Sequence, residues 1–234
     1  MKKSLFLGIL ALVFLTACAA PEEQSPAPPL RVGFNEWWGD YTLLVAREKG
    51  LFEKYGVEVE PVYHENYSDY LIAMASGQMD AAFIGMGDAI NINRQFPITV
   101  VAVSDNGGEN AIVAAPEISS IRSLMGKKVG IIVGAQYELL VIEMLRSAGM
   151  SGGDVSIIKV DPEDAVEALK SGQVQAVYTW EPYLSRAVAE GYPILYQDTT
   201  LPLFPDVIAF QRSVAEQRPD EIKAFLRAWF QAVE

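Results

Sequence analysis

Only one of the 234 residues is cysteine and only one is histidine, and 18 basic side chains stand against 30 acidic ones. Each scarcity excludes something. A single thiol, Cys18, leaves no intramolecular disulfide, so the fold has to be held by its core alone. With His64 the only imidazole, there is little from which to build a nucleophile–base pair, and no metal-ligand spacing appears. No glycine-rich phosphate loop occurs either, since GMGD at 85–88 is too short. The formal charge of −12 and the lack of any basic cluster argue against a nucleic-acid partner. No cofactor is implied.

What is present begins with MKKSLFLGILALVFLTAC, two lysines, an apolar run from Leu5 to Leu15, and small residues before Cys18. This reads as an export leader, residues 1–17, because the apolar run is shorter than the roughly 20 residues that span a bilayer. Leu15-Thr16-Ala17-Cys18 looks like a lipobox, which makes Cys18 the expected lipidation site and the membrane anchor. The alternative is an ordinary secretory leader with an incidental cysteine. Residues 18–29 continue with AAPEEQSPAPP, proline-rich and without anything to bury, and so read as a flexible tether. Without Lys2 and Lys3, 16 basic residues face 30 acidic ones.

An internal repeat organises the rest. RVGF at 31–34 returns as KVGI at 128–131, and SGQMDAAF at 76–83 returns as SGQVQAVY at 171–178. Between these anchors each half carries a helical run ending at glycine (Gly50, Gly149) and then a strand, VEVEPV at 57 and VSIIKV at 155. Asp161-Pro162-Glu163-Asp164 reads as a helix start with a capping side chain and proline in the first turn. A strand-helix-strand-helix-strand series in each half predicts two α/β lobes, each on a parallel sheet.

In such sheets ligands bind outside the carboxyl ends of the strands. Five loops qualify: NEWWGDY (35–41), GMGDA (85–89), SDNGGEN (104–110), GAQYE (134–138) and WEPY (180–183). The ligand-binding candidates are therefore Asn35, Trp37, Trp38, Tyr41, Met86, Asp88, Asn106, Glu109, Asn110, Gln136, Tyr137, Trp180, Glu181 and Tyr183. Each also has a structural alternative. One of the two tryptophans is expected in the core, Asp88 could cap a helix, and Asn106, Glu109 and Asn110 could brace a crossing between lobes. His64 is expected on the surface.

YTLLVAREKGLFEKYGVEVE, IAMASGQMDAAFIG, SIRSLMGKKVGIIVGAQYELL and VQAVYTWEPYLSRA, in that order, resemble the solute-binding proteins of ABC importers for nitrate, sulfonates, taurine and thiamine precursors. The resemblance implies a type II periplasmic binding protein fold, two α/β lobes with a ligand cleft between them. It places lobe 1 at 30–112 plus 205–234 and lobe 2 at 113–204. It also implies a monomer without enzymatic activity that captures a small solute and delivers it to a membrane permease from the cell envelope. Similar proteins continue with further helices where this chain stops at AWFQAVE. A pyrimidine-synthase branch of the fold relies on a cysteine-rich motif that is missing here, and a sensory ligand-binding domain is a third possibility.

The five loops contain no lysine or arginine but carry Glu36, Asp40, Asp88, Asp105, Glu109, Glu138 and Glu181. Backbone N–H groups at helix starts could hold an anion, yet close carboxylates oppose it. A flat, neutral or cationic nitrogen compound, such as a thiamine-precursor pyrimidine, is the expected ligand. Nitrate or a sulfonate is the alternative.

Overall fold

The structure, a computed structural model, describes residues 27–107, 110–197 and 205–234. The leader, Cys18 and most of the tether lie outside the described residues, as does Glu109. The first lobe is built on strands β1 (Leu30–Phe34), β2 (Val59–Tyr63), β3 (Ala81–Gly85) and β4 (Ile98–Asp105). The second takes β5 (Ala111–Ala114), β6 (Lys128–Ile131), β7 (Ser156–Lys159), β8 (Ala176–Thr179) and β9 (Ile194–Gln197). β10 (Asp206–Gln211) then returns to the first sheet.

The repeat seen in the sequence is repeated in the topology. The sheet orders are β2-β1-β3-β10-β4 and β7-β6-β8-β5-β9, so RVGF and KVGI occupy the same place in their sheets. One expectation needs correction. Neither sheet is purely parallel, because β10 runs antiparallel to β3 and β4, and β5 runs antiparallel to β8 and β9. The reason is the crossing itself. A chain that leaves one lobe at the carboxyl end of a strand and enters the other sheet from the cleft side must run away from the cleft. β5 already pairs in the second sheet from Ala111, so the change of sheet falls between Asp105 and Ala111, just before the expected boundary at 112.

Helices cover the sheets. They are α1 (Tyr41–Glu48), α2 (Leu51–Tyr55), α3 (Tyr67–Ala75), α4 (Met86–Asn93), α5 (Glu138–Ser147), α6 (Ala165–Lys170), α7 (Tyr183–Ala189), α8 (Arg212–Gln217) and α9 (Pro219–Val233). α9 alternates buried Ile222, Phe225, Ala228 and Trp229 at helical spacing, and lays that stripe on α1, α2 and β10 of the first lobe. Phe52 and Phe225 stack there with ring centroids 5.5 Å apart. Gly50, which ends α1, has φ +63°, the left-handed turn the sequence signals at that glycine. The DPED start begins as a 3-10 turn over Pro162–Asp164 rather than α-helix, and Asp161 does not cap it. Its carboxylate instead accepts the hydroxyl of Ser68 from the other lobe.

Among the described residues no helix is long and apolar enough to cross a membrane.

Candidate functional site

A narrow cleft lies between the lobes, lined by Asn35, Trp37, Asp40, Tyr67, Phe83, Ile84, Asn110, Tyr137, Trp180 and Asp206.

The NEWWGDY loop is braced from within. Asn35 Oδ1 accepts the backbone N–H of Trp37 (2.9 Å), and Asp40 Oδ2 accepts the N–H of Asn35 (3.1 Å). These two bonds fold the loop so that successive indoles diverge. Trp37 lines the cavity, whereas Trp38 is 59% exposed. The same bonds leave the other carboxylate oxygen of Asp40 without a donor among the described residues, on a side chain that is 3% exposed and part of the cavity wall. Burial pushes the Asp40 carboxyl well above the usual carboxylate range, the bond from Asn35 pulls it down, and the charge of Asp206 pushes it up again.

Asn110 and Asp206 reach the cavity for one topological reason. They stand where the two antiparallel strands β5 and β10 begin, and both strands begin at the cleft. Asn110 is fixed by the hydroxyl of Tyr178, which donates to its Oδ1. The second lobe supplies an aromatic wall: Tyr137 stacks on Tyr178 at 4.5 Å and packs 5.5 Å from Trp180. Tyr67 of the first lobe meets Trp180 edge-on at 5.0 Å.

The lobes are closed around this space by polar contacts. Glu163 accepts both the side-chain amide of Asn66 (2.8 Å) and the N–H of Tyr67 (3.1 Å). Tyr183 donates to Glu36 at 2.9 Å, and Gln136 and Asp88 meet across the cleft. Arg186, one turn into α7, pairs with Glu36 at 3.7 Å and lies over the Tyr183 ring, so it is engaged at the rim and does not line the cavity.

Of the sequence candidates, Asn35, Trp37, Asn110, Tyr137 and Trp180 are brought together in the wall. The others are placed elsewhere. Tyr41 is half-buried and Asn106 exposed, neither in the wall. Met86 packs against the core, because it opens α4 with its side chain turned inward. Asp88 sits inside the first turn of α4 and accepts Tyr67 Oη–H (3.0 Å) and the N–H of Gln136 (2.9 Å), so it is a cross-lobe acceptor rather than a cap. Gln136 and Tyr183 serve lobe contacts, and Glu181, two residues before α7, accepts the N–H and hydroxyl of Ser185. His64 is half-buried beside Tyr70 rather than on the surface.

Five wall residues were not among those candidates. Asp40 was visible only as a rim acid, and Tyr67 opens α3 directly after the carboxyl-end loop of β2, which was left out of the five. Phe83 and Ile84 lie within β3. Asp206 opens β10, the return to lobe 1 that the resemblance implied, but the start of that strand was not counted among the rim loops. Among the described residues no group of three or more His, Cys, Asp or Glu is arranged to hold a metal ion.

The profile of the NMT1-like family matches residues 23–234. A Brucella abortus protein provisionally named a binding protein is 29% identical over 97% of this chain and 72% of its own length. A Bacillus subtilis protein provisionally named for binding aliphatic sulfonates is 28% identical over 100% of this chain and 74% of its own. Among solved structures, the alkanesulfonate-binding protein from Xanthomonas axonopodis pv. citri bound to MOPS superposes with a TM-score of 0.77 at 20% identity, over 87% of this chain and 72% of that one.

Proposed function

The chain belongs to the NMT1-like family, and on that premise we propose that it is the extracytoplasmic solute-binding component of an ABC importer, capturing a neutral or cationic nitrogen compound between its lobes. It carries no catalysis in this reading: it closes on one small solute as a monomer and hands it to the permease. Cys18, in its LTAC context, is the lipid anchor that keeps it in the cell envelope.

The observation that carries the ligand class is Asp40, a buried carboxylate with one oxygen free of donors, set among Trp37, Tyr67, Tyr137 and Trp180 in a wall without lysine or arginine. A buried carboxylate is costly unless a donor or cation meets it, and indole and phenol faces favour flat or cationic groups. An amine or ring N–H answers both requirements. An anion answers neither, because it would enter beside Asp40 and Asp206 with no basic side chain to receive it.

The names of the sulfonate-binding relatives favour the second reading, an alkanesulfonate, taurine or nitrate. Calorimetry on unloaded protein separates the two. 4-Aminopyrimidine and its methylated relatives are expected to bind, and taurine, methanesulfonate and nitrate are not. Tight binding of one of those three anions, with no heat from any amine or heterocycle, overturns the ligand class and leaves the importer reading in place.

A further inference from the structure

Outside the ligand wall, one cross-lobe contact has the shape of a plug in a socket. Gln136, between β6 and α5 in the second lobe, lies against Gly85 and Gly87 at the start of α4 in the first lobe. Its Oε1 accepts the N–H of Gly87 at 2.7 Å, and its own N–H donates to Asp88 Oδ1 at 2.9 Å. Gly87 is the second residue of α4, so its N–H has no acceptor within the helix. The latch is the acceptor it finds among the described residues.

Both glycines are required by the partner lobe, not by their own backbone. Gly85 has φ −57° and ψ 141°, and Gly87 is not among the positive-φ glycines, so alanine fits either conformation. A Cβ at Gly85 would overlap the amide end of Gln136, and one at Gly87 would come within 2.5 Å of Gln136 Cβ.

We propose that Gln136 and the Gly85/Gly87 socket form an interlobe latch, which sets how long a captured solute is held without touching it. The inference rests on two-lobe capture but not on the ligand's chemistry, since the latch lies outside the cavity wall.

Two measurements on the mature chain test it. Without any ligand, amide exchange at Gly87 is expected to be at least about tenfold faster in Gln136→Ala than in wild type, with Phe83, held by Tyr70 Oη, unchanged. Equal Gly87 rates overturn the latch. Dissociation of taurine and of 4-aminopyrimidine, whichever binds, gives the second reading. Gly85→Ala and Gly87→Ala should each speed release by about tenfold or more. Adding Gln136→Ala should bring Gly85→Ala to the level of Gln136→Ala alone, because only the end of the glutamine obstructs that site. It should fail to do so for Gly87→Ala, where Cβ itself collides and Gln136→Gly is needed. Glycine variants that release both probes at the wild-type rate overturn the proposal. If neither probe binds, the ligand class fails, and the exchange rates still decide the latch.

Discussion

Two neighbouring tryptophans in NEWWGDY divide into one that serves the cavity and one that meets solvent, and the division is made by the polar residues around them. Asn35 fixes Trp37 through its side-chain oxygen, and Asp40 fixes Asn35. Asp40 also lines the space that Trp37 borders. Asp40→Asn keeps an oxygen for the Asn35 N–H but removes the charge and puts an NH2 donor in place of the second acceptor oxygen. For a cationic ligand that loss is expected to weaken binding by at least about thirtyfold, corresponding to roughly 2 kcal/mol for a buried charge pair deprived of one partner. For taurine or nitrate the same change should leave binding unaltered or improve it. Calorimetry with Asp40→Asn therefore reads the sign of the ligand's charge, and a loss of anion binding in this variant would contradict the role given to Asp40.

At the scale of elements, the site is assembled from strand ends and helix starts, and those differ in how plainly sequence announces them. β1 and β6, β3 and β8 were legible because their residues recur in order, and the loops that follow them supplied Trp37, Tyr137 and Trp180. The antiparallel strands were not legible as such. AIVA and DVIAF are apolar runs that suit any buried strand, and direction is a property of the crossing rather than of the segment. Asp206 was missed for that reason. α4 shows a second limit: Asp88 has the sequence position of a helix-start acid, and only the docking of the other lobe makes it a buried acceptor. That burial has a consequence for pH. Desolvation raises the Asp88 carboxyl to about 6, against the bonds from Gln136 and Tyr67 that pull it down. Because the folded state holds this proton more tightly than the unfolded chain, its stabilising contribution is complete below the ordinary aspartate range. It is lost as pH rises through about 6, by on the order of 3 kcal/mol in total. Asp40 and Glu163, also raised by burial, act in the same direction, while His64, lowered by burial, acts oppositely as pH falls through its ordinary range. Asp88→Asn mimics the protonated side chain. Its melting temperature is expected to fall less steeply than that of wild type between pH 4 and 7, and parallel curves would rule out Asp88 as a source of the slope.

Over the whole molecule, the two lobes meet through carboxylates that accept from the opposite lobe: Glu36 from Tyr183, Asp88 from Gln136, Asp161 from Ser68 and Glu163 from Asn66. None of these contacts needs a disulfide, and the single cysteine is placed where it cannot serve one. Cys18 follows an apolar run and precedes a proline-rich polar stretch, an arrangement that suits attachment better than folding. No helix among the described residues is long and apolar enough to cross a membrane, and a net negative protein gains nothing from anionic lipid headgroups. On the proposal that Cys18 carries lipid, each buried methylene of an acyl chain would contribute about 0.8 kcal/mol to membrane attachment. In a bacterial host expressing the full chain, the protein is expected in the membrane fraction, shifting to the soluble fraction in Cys18→Ser. A Cys18→Ser protein whose leader has been removed and that still sediments with membranes would show that something other than lipid on Cys18 holds it there.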